Sequence, residues 1–162
     1  MTYRRDGITA LHPATLLATW FGAGLLPKAP GTWGSVAALP FAWGLMAWGG
    51  TSAVLAAAGL CFIVGWWVSA IYARSTGIDD PSEVVIDEVA AQWLVLAWTP
   101  LDPFAYLVGF ALFRLFDVRK PWPVSWADRA IGGGLGIMVD DILAALYALV
   151  GMAAFLWAGR MI

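Results

Sequence analysis

The residues able to do chemistry fall into three groups of carboxylates and one of bases. Asp79, Asp80, Glu83, Asp87 and Glu88 form the first group, Asp117 and Asp128 the second, Asp140 and Asp141 the third. Arg114, Arg119, Lys120 and Arg129 are interleaved with the second. Asp87-Glu88 and Asp140-Asp141 stand at the starts of apolar runs. Ionised groups at membrane depth cost ~2.5–3.5 kcal/mol each, even on the lenient insertion scale. Such acids face a bundle interior and need a charged partner. A divalent cation fits, because hard oxygen ligands without abundant cysteine or histidine suit Mg²⁺, Mn²⁺ or Ca²⁺ and not zinc. Pairing with the four bases, as a structural network, fits as well. The run Gly132-Gly133-Gly134-Leu135-Gly136 can bring backbone N–H groups close to an anion at the start of the helix that carries Asp140. A glycine run can equally be a hinge.

Other catalytic schemes are checked against the same residues. The single histidine, His12, lies outside the acidic groups, so a phosphohistidine mechanism with a supporting histidine is excluded. Cys61 has no arginine six residues on, so the cysteine phosphatase loop is missing. There is no Asp-x-Asp pair, no Walker loop and no histidine near the serines for a triad. What remains is metal-activated water attacking phosphorus, with carboxylates holding the metal and acting as base.

These residues are carried by an unusually apolar chain. Of 162 residues, 61% are apolar and 12% charged, against about half and a quarter in a soluble domain. Mean hydropathy is +0.77. Lys28 and Arg74 are consecutive charges, leaving 45 residues between them with none. The composition predicts an all-α, polytopic membrane bundle forming one domain over residues 1–162. The apolar runs are continuous, unlike the alternating strands of a membrane barrel. A net charge of −2 implies no nucleic-acid partner. Cys61, alone in an apolar run, reads as a small buried hydrophobe.

Five runs are expected to cross or enter the membrane: Ser35–Trp48, Ala53–Ala73, Val84–Trp98, Phe104–Phe116 and Ile142–Ala158. Several fall short of the ~20 residues of a comfortable span. Gly49–Ser52 and Thr99–Pro103 then form turns on one side. The longer segments Phe21–Gly34, Arg74–Asp87 and Arg114–Asp141 meet on the other. The N-terminal segment, broken by His12-Pro13 and glycines, is expected to lie in the interface or re-enter, and to stay in the mature chain. Eight of nine Lys/Arg, Arg4 and Arg5 included, then lie on the motif side, with Arg160 opposite, which makes the motif side cytoplasmic. Trp20, Trp33, Trp48, Trp98, Trp122, Trp126 and Trp157 read as interfacial anchors, and Trp66, Trp67 and Trp93 as packing.

Four segments, in order, resemble a known family. They are Phe21-Gly-Ala-Gly-Leu-Leu-Pro-Lys-Ala-Pro-Gly-Thr-Trp-Gly-Ser35, Val84-Val-Ile-Asp-Glu88, Arg114-Leu-Phe-Asp-Val-Arg-Lys-Pro-Trp-Pro123 with Asp128-Arg129, and Gly133-Gly-Leu-Gly-Ile-Met-Val-Asp-Asp141. Together they are similar to bacterial phosphatidylglycerophosphatase A over roughly residues 14–150. The resemblance implies a Mg²⁺-dependent enzyme of the bacterial inner membrane. It would hydrolyse the terminal phosphate of phosphatidylglycerophosphate, giving phosphatidylglycerol and inorganic phosphate. Asp79-Asp80 departs from relatives that carry His-Asp there, and Ala23 from those with serine.

Carried over by position, Asp87, Glu88, Asp140 and Asp141, then Asp117, are the expected metal ligands. Asp87, Glu88, Asp117 and Asp141 are the expected catalytic residues. Arg114, Lys120, Arg129, Thr32 and Gly134 are expected to bind substrate. Asp128 is expected to pair with Arg129 or Arg119, and Ser35 to cap the first membrane helix. Two rivals are weighed. A CDP-alcohol phosphotransferase would need an Asp-Gly-x-x-Ala-Arg signature that does not occur. An ion or proton pathway would use Asp87 and Asp140, yet the acids gather on one face.

Overall fold

The computed structural model describes residues 9–159, and these are helical without any strand. In order come α1 (Pro13–Ala18), α2 (Pro30–Thr76), α3 (Ile86–Leu96), α4 (Pro103–Arg119), α5 (Val124–Ala130) and α6 (Gly133–Ala158). Prolines open α1, α2 and α4, where the missing N–H is no loss. Asp102 caps α4 by accepting a 2.8 Å hydrogen bond from the Ala105 amide. Gly77, at φ +69°, closes α2.

The helix α2 is a hairpin. Gly50 breaks it with φ +63° and ψ −161°. Gly34 packs on Val85, while Gly65 packs on Ile86 and Met138. A straight helix would part Gly34 and Gly65 by about 46 Å. Neighbouring residues 85 and 86 touch both, so the arms 30–49 and 51–76 double back on one another. The turn falls within the predicted Gly49–Ser52. The first arm begins at Pro30, which puts Ser35 inside it. Ser35 therefore does not cap the helix. Its hydroxyl donates to the Gly31 carbonyl one turn back, at 2.9 Å.

The core is α3, enclosed by α2, α4 and α6. Ile86, Val89, Ala90, Ala91, Trp93, Val95 and Leu96 are all buried. The Trp93 indole donates to the Ala38 carbonyl at 2.9 Å, fixing α3 to the first arm. Small residues let the other helices close in. Gly134 sits against the backbone of Trp66 and Ala70, and Ala144, Ala145 and Ala148 are fully buried along α6.

Two helices, α2 and α6, are long and apolar enough to cross a membrane. The other expected segments are shorter. The 11 residues of α3 rise about 16 Å and the 17 of α4 about 26 Å, against a hydrocarbon core of ~30 Å. The six residues of α1 are too few to cross. They are tied to the bundle instead, with the Val85 amide donating to the Ala18 carbonyl at 2.9 Å. Trp20 packs edge-on against Trp93 and Phe41. Trp66 and Trp67, expected to pack inside, are instead 48% and 65% exposed on the second arm. Arg4, Arg5 and Arg160, used in the charge count, lie outside the described residues.

Loops of the three motif segments gather at one end of the bundle. Among the described residues, Lys28, Arg74, Arg114, Arg119, Lys120 and Arg129 belong to that end. The Gly50 turn and the segment before α4 lie at the other.

Candidate active site

A cavity of about 280 Å³ opens at the charged end. The start of α2 supplies Ala29, Pro30 and Gly31, the loop before α3 supplies Asp80, Pro81, Ser82 and Val84, and α3 supplies Asp87 and Glu88. The end of α4 supplies Arg114, Asp117, Val118 and Lys120, and α6 supplies Ile137, Asp140 and Asp141. Seven expected site residues thus come together from three helices. Thr32, Arg129 and Gly134 do not line the cavity. Thr32 is half-buried on α2, and Arg129 is exposed on α5. Gly134 is committed to packing. An added Cβ there would stand 2.7 Å from the Ala70 nitrogen, so this glycine lets α6 approach α2.

Asp87, Glu88 and Asp141 each offer an oxygen within 4.8 Å of the other two. Asp87 and Glu88 occupy the first turn of α3, where the helix dipole favours negative charge. The Asp87 carboxylate accepts from the Glu88 amide at 2.9 Å, which fixes its direction. Glu88 Oε2 and Asp141 Oδ2 are buried and have no hydrogen-bond partner. Three carboxylates this close, with oxygens to spare, could hold a hard divalent cation. Mg²⁺ holds such oxygens at about 2.0–2.1 Å, which draws them together.

The bases are distributed around this trio. Arg114 forms an ion pair with Asp117 three residues on, and its Nη1 stands 3.6 Å from Glu88 Oε1. Lys120, in left-handed backbone at φ +42°, turns its ammonium to Asp128 and to Asp140, the latter at 2.7 Å. Burial alone would lower the Lys120 pKa. Hydrogen bonds and charge from Asp128 and Asp140 outweigh that and hold it above the ordinary lysine value. Asp128 therefore pairs with Lys120, and not with Arg129 or Arg119 as the sequence order implied. Among the described residues, Asp117, Asp128 and Asp140 pair with bases, and Glu88 stands 3.6 Å from Arg114.

Sequence reasoning missed Gly31. A Cβ there would overlap the Glu88 carboxylate and stand 3.0 Å from Arg114 Nη1. Asp80 was counted among the acids without a role, and Val118 and Ile137 were quoted only as members of motif segments. For Ile137, the available signal was its spacing of three and four residues from Asp140 and Asp141.

Comparison with known proteins bears on this geometry. The profile of the family described as Phosphatidylglycerophosphatase A matches residues 16–156. A Haemophilus influenzae phosphatidylglycerophosphatase A is 40% identical over 144 residues, 88% of either chain. The Escherichia coli protein of that name is 41% identical over 139 residues, 83% of this chain and 78% of its own. A Bacteroides thetaiotaomicron protein provisionally named a phosphatidylinositol-3-phosphatase is 36% identical over 155 residues, 88% of this chain and 92% of its own. No solved structure matches.

Proposed function

The chain belongs to the phosphatidylglycerophosphatase A family and is a lipid phosphatase, and from that premise we propose how its cavity works. The enzyme hydrolyses the terminal phosphate of phosphatidylglycerophosphate, leaving phosphatidylglycerol and inorganic phosphate. Water adds to phosphorus, and the bond from phosphorus to the glycerol oxygen breaks. The glycerol oxygen leaves with a proton.

One observation carries the proposal: Asp87, Glu88 and Asp141 share one point beside Arg114 at the charged end of an apolar bundle. These three would hold Mg²⁺, with Asp117 and Asp140 beside them. When bound, Mg²⁺ supplies charge for the phosphate oxygens and a more acidic water. Arg114 offers a planar fork to the phosphate, and Lys120 a compact charge. Asp117 lines the cavity outside the trio and is the base that takes the proton from the attacking water. Asp140 holds Lys120 in place.

We place the protein in the bacterial cytoplasmic membrane as a multi-pass protein, with the cavity toward the cytoplasm. Support comes from the six Lys/Arg of the described residues at the cavity end. The arms of α2 together with α4 and α6 cross, α3 reaches partway from the cavity end, and α1 lies at the interface.

The test is phosphate release from phosphatidylglycerophosphate in detergent micelles, with Mg²⁺ and then with excess EDTA. Phosphatidic acid and phosphatidylinositol 3-phosphate run in parallel as competing substrates. EDTA-sensitive release that favours phosphatidylglycerophosphate is expected. Equal release with EDTA present removes the cation from the proposal, and release from a competitor alone replaces the substrate.

A further inference from the structure

The cavity is sized for a head group. At about 280 Å³ it stands at the lower end of the ~300–1,000 Å³ of pockets that enclose a drug-sized molecule. Two long acyl chains cannot enter it. They must leave through an opening that meets the membrane.

One cavity residue marks that opening. Among the apolar side chains of the lining, Pro81, Val84 and Ile137 are buried and Pro30 is half-buried, while Ala29 is exposed but carries only a methyl group, in the loop before α2. Val118 both lines the cavity and is 72% exposed. It begins a stripe of exposed apolar residues on α4: Val118, Leu115, Ala111, Leu107 and Phe104. Their spacing of three or four residues keeps them on one helix face. The stripe runs about 21 Å from Val118 to Phe104, against ~15 Å for one leaflet of the hydrocarbon core.

The helices around the cavity pack closely elsewhere. Gly134 on Ala70 and Gly65 on Met138 seal α2 against α6. Gly151 on Leu112 seals α4 against α6, and Val124 of α5 is buried in the cluster around Phe113, Ala144 and Ala145. Between α4 and the first arm of α2, the Arg114 guanidinium lies against the backbone of Gly31, and Trp43 meets Tyr106 with rings 5.1 Å apart.

Resting on the phosphatase reading, we propose that the acyl chains of the substrate leave the cavity past Val118 and lie along the exposed face of α4. Val118 is then the doorway at which the phosphate-bearing head group turns inward while the lipid stays in its leaflet. This makes α4 a specificity element that reads the diacyl part of the substrate.

The experiment compares V118W with the unmodified protein on dioleoyl phosphatidylglycerophosphate and on its water-soluble dihexanoyl form. V118L serves as the conservative control. V150W, at a site 71% exposed on α6 and away from the cavity, is the surface control. In V118W the ratio of kcat/KM for the long-chain over the short-chain substrate is expected to fall about tenfold, mainly through KM. V118L and V150W should keep the original ratio. An unchanged ratio in V118W, or an equal fall in V150W, overturns the doorway while leaving the phosphatase reading intact. No phosphate release from either substrate by the unmodified protein overturns both.

Discussion

Gly31 and Glu88 touch across two helices. The Gly31 α-carbon lies so close to the Glu88 carboxylate that a methyl group on it would overlap Oε1. The first arm of α2 can therefore start at the cavity only if residue 31 lacks a side chain. Its chain carbonyl is also engaged, by the Ser35 hydroxyl.

The variant G31A should accordingly damage the site more than the fold. The added methyl pushes Glu88 away from Asp87 and Asp141. A shift of about 1 Å in a catalytic group can cost ~100-fold in rate. Overpacking also costs ~1–3 kcal/mol of stability. Purified G31A is expected to lose kcat by about that factor with a Tm only a few degrees lower. Full activity would show that Glu88 need not stand where it does.

Asp141 tests the cation. Its Oδ2 is buried without a partner, and it shares one point with Asp87 and Glu88. In D141N, activity should fall about 10³-fold. Without added metal, the variant should be as stable as the parent or more so, because one of three clustered charges is gone. The decisive reading is thermal. A cation that binds only the folded protein raises its Tm by an amount that grows with the logarithm of its concentration over Kd. Mg²⁺ should raise the Tm of the parent and leave D141N unmoved. An equal rise in both would place the cation elsewhere.

Much of this site was legible from residue types, and the rest depended on approach in three dimensions. Asp87-Glu88 and Asp140-Asp141 announced themselves as charges beside apolar runs, and seven of the expected residues line one cavity. The hairpin of α2 was readable from Gly49–Ser52 because glycine alone reaches the φ of Gly50 without strain. Partners were harder. Lys120 turns to Asp128 and Asp140 from left-handed backbone, which its residue type does not signal. Gly134 was read as part of an anion cradle or of a hinge, and the contact with Ala70 sets a third role, helix packing, against the cradle. The length of α3 was obscured because an enclosed helix and a lipid-facing span are equally apolar.

Gly134 offers a test of that choice. If it packs, G134A strains the contact between α6 and the second arm of α2, and the loss is in stability. A Tm lower by several degrees is expected, with KM unchanged in the protein that remains folded. If the glycine run cradles phosphate, KM rises instead while Tm holds. The two readouts move in opposite ways, so one preparation decides.

Lys120 links charge to pH. Its pKa stands above the ordinary lysine value because Asp128 and Asp140 outweigh its burial. A raised folded-state pKa gives stability that is fully present below the unfolded value of about 10.4 and is lost as pH rises through the folded one. K120M should therefore have a lower Tm than the parent from neutral pH to about 10, with the gap narrowing only above that. Its KM should rise as well, since a cavity cation is gone. A gap that closes below pH 9 would mean that another group carries the effect.

The orientation of the bundle can be settled with single cysteines. The chain has one, Cys61, which is buried, so C61A provides a background in which new thiols report alone. Asp79 is exposed in the loop at the cavity end, and Leu101 is exposed, at 44%, in the turn before α4 at the other end. With the cavity facing the cytoplasm, D79C should resist a membrane-impermeant thiol reagent in intact spheroplasts and react once they are opened. L101C should react in both. Lysine and arginine set orientation by their count near the membrane ends, and all six among the described residues stand with Asp79. The reverse labelling would put the cavity outside and remove the cytoplasmic leaflet as the source of its substrate.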